Sequence, residues 1–529
     1  ILKVYDVPVM YFPKFFHPDP SVKRQSGFLM PSFQSSSSSD DYLNTPYFLA
    51  IAENKDATFS PRFYGKDKLL MQTEYRQVNS NSNHFADFSF FTDRGKNSKN
   101  HLFYDLNKNI NLENFEDAEI KLKIQNTSND TYLETSKLQS KIITNQNNLE
   151  NSLGLSLYSN NLSVNVDTKV YENLDKKKTD RYEYILPKID LTKKIENKTK
   201  LNGDFSFKSQ LLVRNYDTNI YEKININDII FNSDPLIFNN GLYNNYTFLL
   251  KNSYSNSQKS TNHKEGENIN FAGIFQYDSS LPLIKEDKKY QKILSPRLTL
   301  KMAPDHSQNN RDGSSRIDVN NIYSLNRTSN SYTTEGGVSV AYGSDYSISN
   351  KDNSKEIFGL KVANNLRFRE NNDLPKINQL GEKTSNFFGE ITYSPNENLA
   401  TKYNTTTKNN LSDTNYENFT TEFNLNNFVT SFDYLNDNTG NNESSYLSNK
   451  SSYKINDDNS LSFSTRKNKT LNLTEYYNLI YQYKNDCLSA SIEYNKDYYT
   501  DRDIKPAESI FFKLTIIPFG ETTSPNLKN

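Results

Sequence analysis

Few residues of this chain have the type and spacing that chemistry needs. The five histidines, His17, His84, His101, His263 and His306, are scattered over 529 residues, none at metal-ligand spacing. The single cysteine, Cys487, has no partner in the chain, so it reads as an inert thiol or as one that pairs with a segment outside it. The stretch DLNKNINLENFE puts Asp105, Asn107, Asn109 and Glu116 at the first, third, fifth and twelfth positions of a calcium loop. The sixth position turns sharply and needs glycine; here it is Ile110, so the stretch reads as a polar loop. There is no G-x-S-x-G, no P-loop and no glycine-rich turn between a strand and a helix. The expectation is a chain without a catalytic constellation, not an enzyme, and with no metal or cofactor.

With no reactive group to place, function must lie in the elements themselves. Charge is balanced, 62 basic against 63 acidic residues, so no overall field favours nucleic acid. Hydrophobic residues make up 34% and mean hydropathy is −0.82, values that would suit disorder. The 36 tyrosines and 33 phenylalanines argue against it, because disordered chains are poor in aromatics. No apolar run is long enough for a membrane helix. A transmembrane barrel escapes that test, since its strands alternate lipid-facing and lumen-facing side chains. The chain opens on Ile1 without a leader, as expected if a signal peptide has been removed or the chain is a fragment.

Alternation with period two recurs almost from end to end. Leu153, Leu155 and Leu157 share a face, and after the turn Leu162, Val164, Val166 and Val170 resume it against Ser163, Asn165, Asp167 and Lys169. Phe205, Phe207, Leu211 and Val213 stand opposite Ser206, Lys208, Gln210 and Arg214. Tyr477, Leu479, Tyr481 and Tyr483 repeat the pattern, as do Ile510, Phe512, Leu514 and Ile516 against Lys513 and Thr515. Asn-, Asp-, Ser- and Lys-rich turns separate the runs. The class is all-β, and short apolar faces opposed by charge favour a large antiparallel transmembrane β-barrel over a soluble β-rich binding protein. A porin-like or receptor barrel for small solutes shares this texture.

Two prolines stand out. Pro31 and Pro46, fifteen positions apart, fall in strand-like runs near the start, although proline donates nothing to a ladder. Either both merely open strands, where proline is harmless, or they weaken the sheet there by design.

The first eighty residues resemble the LPS-assembly protein LptD family. Pro8, Val9, Tyr11, Pro13 and Phe15, followed by Arg24, Ser26, Gly27, Phe28, Leu29 and Pro31, match its approach to the barrel. Asp56, Ala57 and Thr58 match its Asp-Ala-Thr, and Glu74, Tyr75 and Arg76 a following strand. SPRLTLKMAP from Ser295 and EGGVSVAYG from Glu335 look like later strands of the same family. The tryptophans usual in the family are absent, and so is the second of its paired C-terminal cysteines.

The resemblance implies an outer-membrane barrel of about 26 strands preceded by the last strand of a periplasmic β-jelly-roll, which is about 19 residues per strand and connection. It divides the chain into 1–30 as jelly-roll end and link, 31–520 as barrel and 521–529 as tail. It implies assembly of lipopolysaccharide at the cell surface, along an apolar path at Val4, Val9, Tyr11 and Phe15, then through a lateral gate. The gate would lie between a first strand weakened at Pro31, with Pro46 beside it, and a last strand carrying Phe512, Leu514 and Ile516. Cys487 would bond to the missing N-terminal domain. The implied partners are lipopolysaccharide, an LptE-like lipoprotein plug, an LptA-like periplasmic bridge and the barrel-assembly machinery, with no nucleic acid.

Overall fold

The computed structural model describes residues 2–4, 7–10, 25–29, 31–36, 40–65, 67–93, 98–261, 263–304, 309, 311, 316–328, 331–439, 443–485, 488–498 and 506–516. Leu2–Val4 and Val7–Met10 pair as a separate two-stranded ribbon. From Gly27 onward, antiparallel strands pair with their sequence neighbours until the last, Ala507–Ile516, pairs with the first and closes a barrel of 26 strands. The first strand thus opens inside the stretch read as a link.

Alternation sets the two walls. Leu155 pairs with Val166 and Leu157 with Val164 across the turn at Asn160 and Asn161, so one hairpin puts its whole aliphatic set on one face. That face is the outside: Leu153, Phe248, Phe271 and Ile510 stand exposed on it. The opposite parity is polar and lines the interior, the arrangement a barrel needs when its surroundings are apolar and its lumen is wet. Asp105–Asn109, read as loop, are instead the end of the strand Lys99–Asn109, because Leu106 and Tyr104 continue its alternation.

One rim carries short turns. The other carries longer connections, among them 128–147, 304–336 and 368–386. Two of these turn back onto the interior wall. Residues 128–147 contain the one-turn helix Tyr132–Thr135, whose Tyr132 and Leu133 join Leu70, Phe103, Leu138 and Leu149 in a buried cluster. Residues 316–336 set Ile317, Val319, Ile322 and Tyr323 against Ala341, Ala363 and Phe388.

Among the described residues, four of the 26 strands are interrupted, and each interruption contains a proline. The first strand is Gly27–Phe28 then Ser32–Ser36, and the second Tyr42–Asn44 then Tyr47–Ala52, broken at Pro31 and Pro46. The twelfth, Ile220–Ser233 then Leu236–Ile237, and the fourteenth, Gly266–Ser280 then Leu283–Glu286, break at Pro235 and Pro282. Proline has no N–H to give the ladder, which suits it to such breaks.

Candidate functional site

The barrel closes where its first and last strands meet, and this seam is shallow. Among the described residues, Ser509, Ile510, Phe511 and Phe512 pair with Ser36, Ser35, Gln34 and Phe33, a ladder four residues deep. On its other side the last strand pairs ten residues deep with Leu488–Asp497. Among the described residues the next ladder is short as well: three residues of Ser32–Ser36 face Tyr42–Asn44, and Gly27 and Phe28 face Phe48 and Tyr47.

Pro31 and Pro46 lie at these breaks, and a third proline extends the line. Pro61 follows Pro46 by the same fifteen positions, on the uninterrupted third strand Lys55–Tyr64. The three strands are stitched beside these prolines through their carbonyls. The Leu29 N–H donates to the Pro46 carbonyl at 2.8 Å, and the Thr45 N–H to the Pro61 carbonyl at 3.1 Å. Sequence reasoning missed Pro61, although its spacing repeats the first interval.

The outer face of the seam is apolar, with Phe33, Leu43, Phe63 and Ile510 exposed. Phe28, 78% exposed, meets the Tyr47 ring edge-on at 5.1 Å. The inner face is polar or aromatic: Gln34, Tyr42, Asn44, Arg62, Ser509 and Phe511. Gln34 is 1% exposed, yet its side-chain carbonyl has no hydrogen-bond partner among the described residues. A buried amide oxygen left this way costs about 1–3 kcal/mol.

Residues 128–147 cover this inner face. Arg62 Nη1 donates to the Ser136 carbonyl at 2.6 Å, and Gln72 Nε2 to the Gln139 carbonyl at 3.2 Å. The Tyr132 hydroxyl, its pKa pushed up to about 12 chiefly by burial, shares a 2.7 Å bond with Ser89. Lys137 then reaches the last strand, with Nζ 3.3 Å from Ser509 Oγ and 4.9 Å from the centre of the Phe511 ring. One connection therefore grips the third strand and the last, with the seam between them. Nothing in the local sequence of 128–147 marks it: its apolar residues follow neither strand nor helix period.

The resemblance residues take structural places here. The Ala50 N–H donates to Ser26 Oγ at 2.9 Å, tying the head of the first strand to the second. Asp56 and Thr58 are buried, and Arg76 binds both at 2.6 Å while holding Glu74 at 3.0 Å. Ala57 lies between them, buried on the opposite face. Val4 and Val9 lie on the N-terminal ribbon, and Leu514 and Ile516 continue the last strand, but the side chains of all four lie outside what is described. Arg24, Tyr11, Phe15 and Cys487 lie outside the described residues altogether.

On the far wall the second luminal connection is fixed by charge. Glu335 accepts from Arg367 Nη2 at 2.6 Å, Arg327 Nε at 2.7 Å and Lys301 Nζ at 3.3 Å, all of them buried. Burial alone would raise this carboxyl, but the surrounding cations, Arg327 first, hold it far below the usual carboxylate range. Glu335 had read as the head of a strand; that strand begins at Gly337.

A family model described as LptD, LPS transport system D, matches residues 99–449, well over half of the chain. The LPS-assembly protein LptD of Pseudomonas putida is 38% identical over 104 residues, which are 20% of this chain and 11% of that protein. That of Pseudomonas fluorescens is 44% identical over 81 residues, 15% of this chain and 8% of its own length. The chain's matches thus span about a tenth of these relatives' length. Among solved structures, the alcaligin outer-membrane receptor FauA of Bordetella pertussis has a TM-score of 0.30 at 8% identity, covering 92% of this chain and 75% of that one.

Proposed function

This chain belongs to the LptD family, and from that premise we propose that it delivers lipopolysaccharide to the cell surface through its lumen and out through the seam. The observation that carries the reading is the ladder between first and last strands, four pairs deep among the described residues, beside Pro31 and Pro46. A closed barrel in lipid has no edge, because unpaired backbone groups there cost several kcal/mol. A wall that must part needs one ladder weak enough to break.

The chemistry on either side of the seam suits an amphipathic cargo. The sugar and phosphate portion would travel against the polar interior, and the acyl chains would leave between Phe33 and Ile510 into the apolar surroundings. Val4, Val9, Tyr11 and Phe15 would line the approach, and Phe512, Leu514 and Ile516 the last-strand side of the exit. The chain would act without a cofactor. A lipoprotein plug would fill the lumen, a periplasmic bridge protein would feed the N-terminal end, and the barrel-assembly machinery would insert the protein. Cys487 would bond to a segment outside this chain.

The test is photo-crosslinking in cells, with a photoreactive residue replacing Phe33 and then Tyr47 in the full-length protein. Energy-dependent adducts with lipopolysaccharide at both positions are expected. Correctly inserted protein that captures lipid at neither would overturn the lateral exit and favour a porin-like barrel.

A further inference from the structure

Lys137 occupies an unusual place for a lysine. It follows the one-turn helix Tyr132–Thr135 by two residues and has a left-handed backbone, φ 46°, while its N–H closes onto the Glu134 carbonyl at 3.0 Å. Glycine is the residue that adopts this conformation without penalty at a helix end. A lysine there accepts strain, so its side chain must supply something glycine cannot. What it supplies is the contact across the seam to Ser509 and Phe511.

The rest of 128–147 is anchored on the opposite side of that seam. Arg62, Gln72 and Ser89, on the third, fourth and fifth strands, hold its backbone and Tyr132, and its apolar residues are buried among Leu70, Phe103 and Leu149. The first two strands lie between this anchorage and the last strand. Asp497 and Glu493, on the strand next to the last, are the anionic groups that act on Lys137; burial pushes its pKa down and these two oppose that. The ladder beneath the contact has four described pairs, and the charged hydrogen bond adds to them from the lumen side rather than along the ladder.

We propose that Lys137 is a positioning residue that latches the seam from the lumen, tying the last strand to the wall beyond the first two. The latch rests on the reading of the seam as an exit, but its test does not need transport. It closes the barrel without adding to the ladder, so the exit stays openable yet shut at rest.

The experiment is hydrogen–deuterium exchange on the full-length protein with its lipoprotein partner in nanodiscs, comparing wild type, Lys137→Met and Lys137→Arg. In Lys137→Met, amides of 32–36 and 507–512 should exchange about tenfold faster, the loss of one charge-assisted hydrogen bond. Amides of 132–142 and of the far-wall strand at 337–350 should keep wild-type protection. Lys137→Arg should restore the seam, which loss of packing alone would not predict. Unchanged seam exchange in Lys137→Met, or a loss of protection that spreads through 132–142, would overturn the latch. The transport reading fails separately: photo-adducts absent at Phe33 and Tyr47 sink the exit, whereas adducts present with exchange indifferent to Lys137 sink only the latch.

Discussion

At the seam, Pro31, Pro46 and Pro61 sit on three successive strands; thirteen strands away in either direction, Pro282 on the fourteenth strand faces a neighbour, Tyr290–Ala303, that carries Pro296. Pro235 interrupts the twelfth strand close by. The stitching is alike: the Leu281 N–H donates to the Pro296 carbonyl at 3.1 Å, as Thr45 does to Pro61. The surroundings are not. Ladders beside the far breaks run from Tyr221 to Asn232 and from Tyr243 to Ser257, against four described pairs at the seam. Behind the far wall, residues 316–336 are bound to at least three strands through Gln276, Lys301 and Arg367, whereas the seam has Lys137. Proline therefore does not make a weak wall by itself. It removes one bond, and whether that matters depends on how many remain and on what braces them.

The strongest way to break this comparison is to close each wall covalently. Cysteines replacing Ser35 and Ile510, which face each other across the seam, should abolish lipopolysaccharide export when oxidised and restore it on reduction. The same bridge at Ser279 and Leu298, opposed on the far wall, should leave export unchanged. Surface labelling of lipopolysaccharide reads the effect, and peptide mapping separates each bridge from any bond made by Cys487.

Next in size is the far-wall brace. Glu335→Ala leaves three buried cations without their shared carboxylate and should cost about 3–5 kcal/mol. The expected result is a lower unfolding temperature in detergent and loss of amide protection over 337–350, with the seam amides unaffected. A change at 507–512 instead would mean that the two walls are mechanically one.

The smallest effect sharpens the role of proline. Pro31→Ala and Pro46→Ala each return an N–H, worth about 0.5–1.5 kcal/mol if it pairs. Export should slow, and more so in the double variant, while Pro282→Ala, which returns the same group, leaves export as it was. Equal slowing from all three would show that the seam is nothing special.

Much of the barrel was legible beforehand, and for a clear reason. Leu153 through Val170 alternate so strictly that only one register puts every aliphatic residue outside, and the pairing of Leu155 with Val166 follows. Pro31 and Pro46 were legible because proline breaks such a pattern visibly. The luminal connections were not. Tyr132, Leu133, Leu138 and Ile142 are too few and too irregular to signal burial, and what buries them comes from distant strands. Glu335 misled because a charge at the head of an alternating run looks like a strand end, whereas its partners Arg327 and Arg367 lie on either side of that strand in sequence. Gln34 alternates normally; only the fold shows that its amide oxygen is left unmet.

The bond from Lys137 to Ser509 joins positions 372 apart in sequence, whereas the ladders, the seam's apart, form between neighbouring strands. In the language of folding, closing so long a stretch costs about 3 kcal/mol more chain entropy than closing a loop of about ten residues. Contacts of this separation form late. Closing the seam last is therefore the expected order, with 128–147 laid along the wall before the final strand finds the first. By reversibility, the last contact made is the first to yield, so the order in which this chain assembles would favour the same place as the proposed exit.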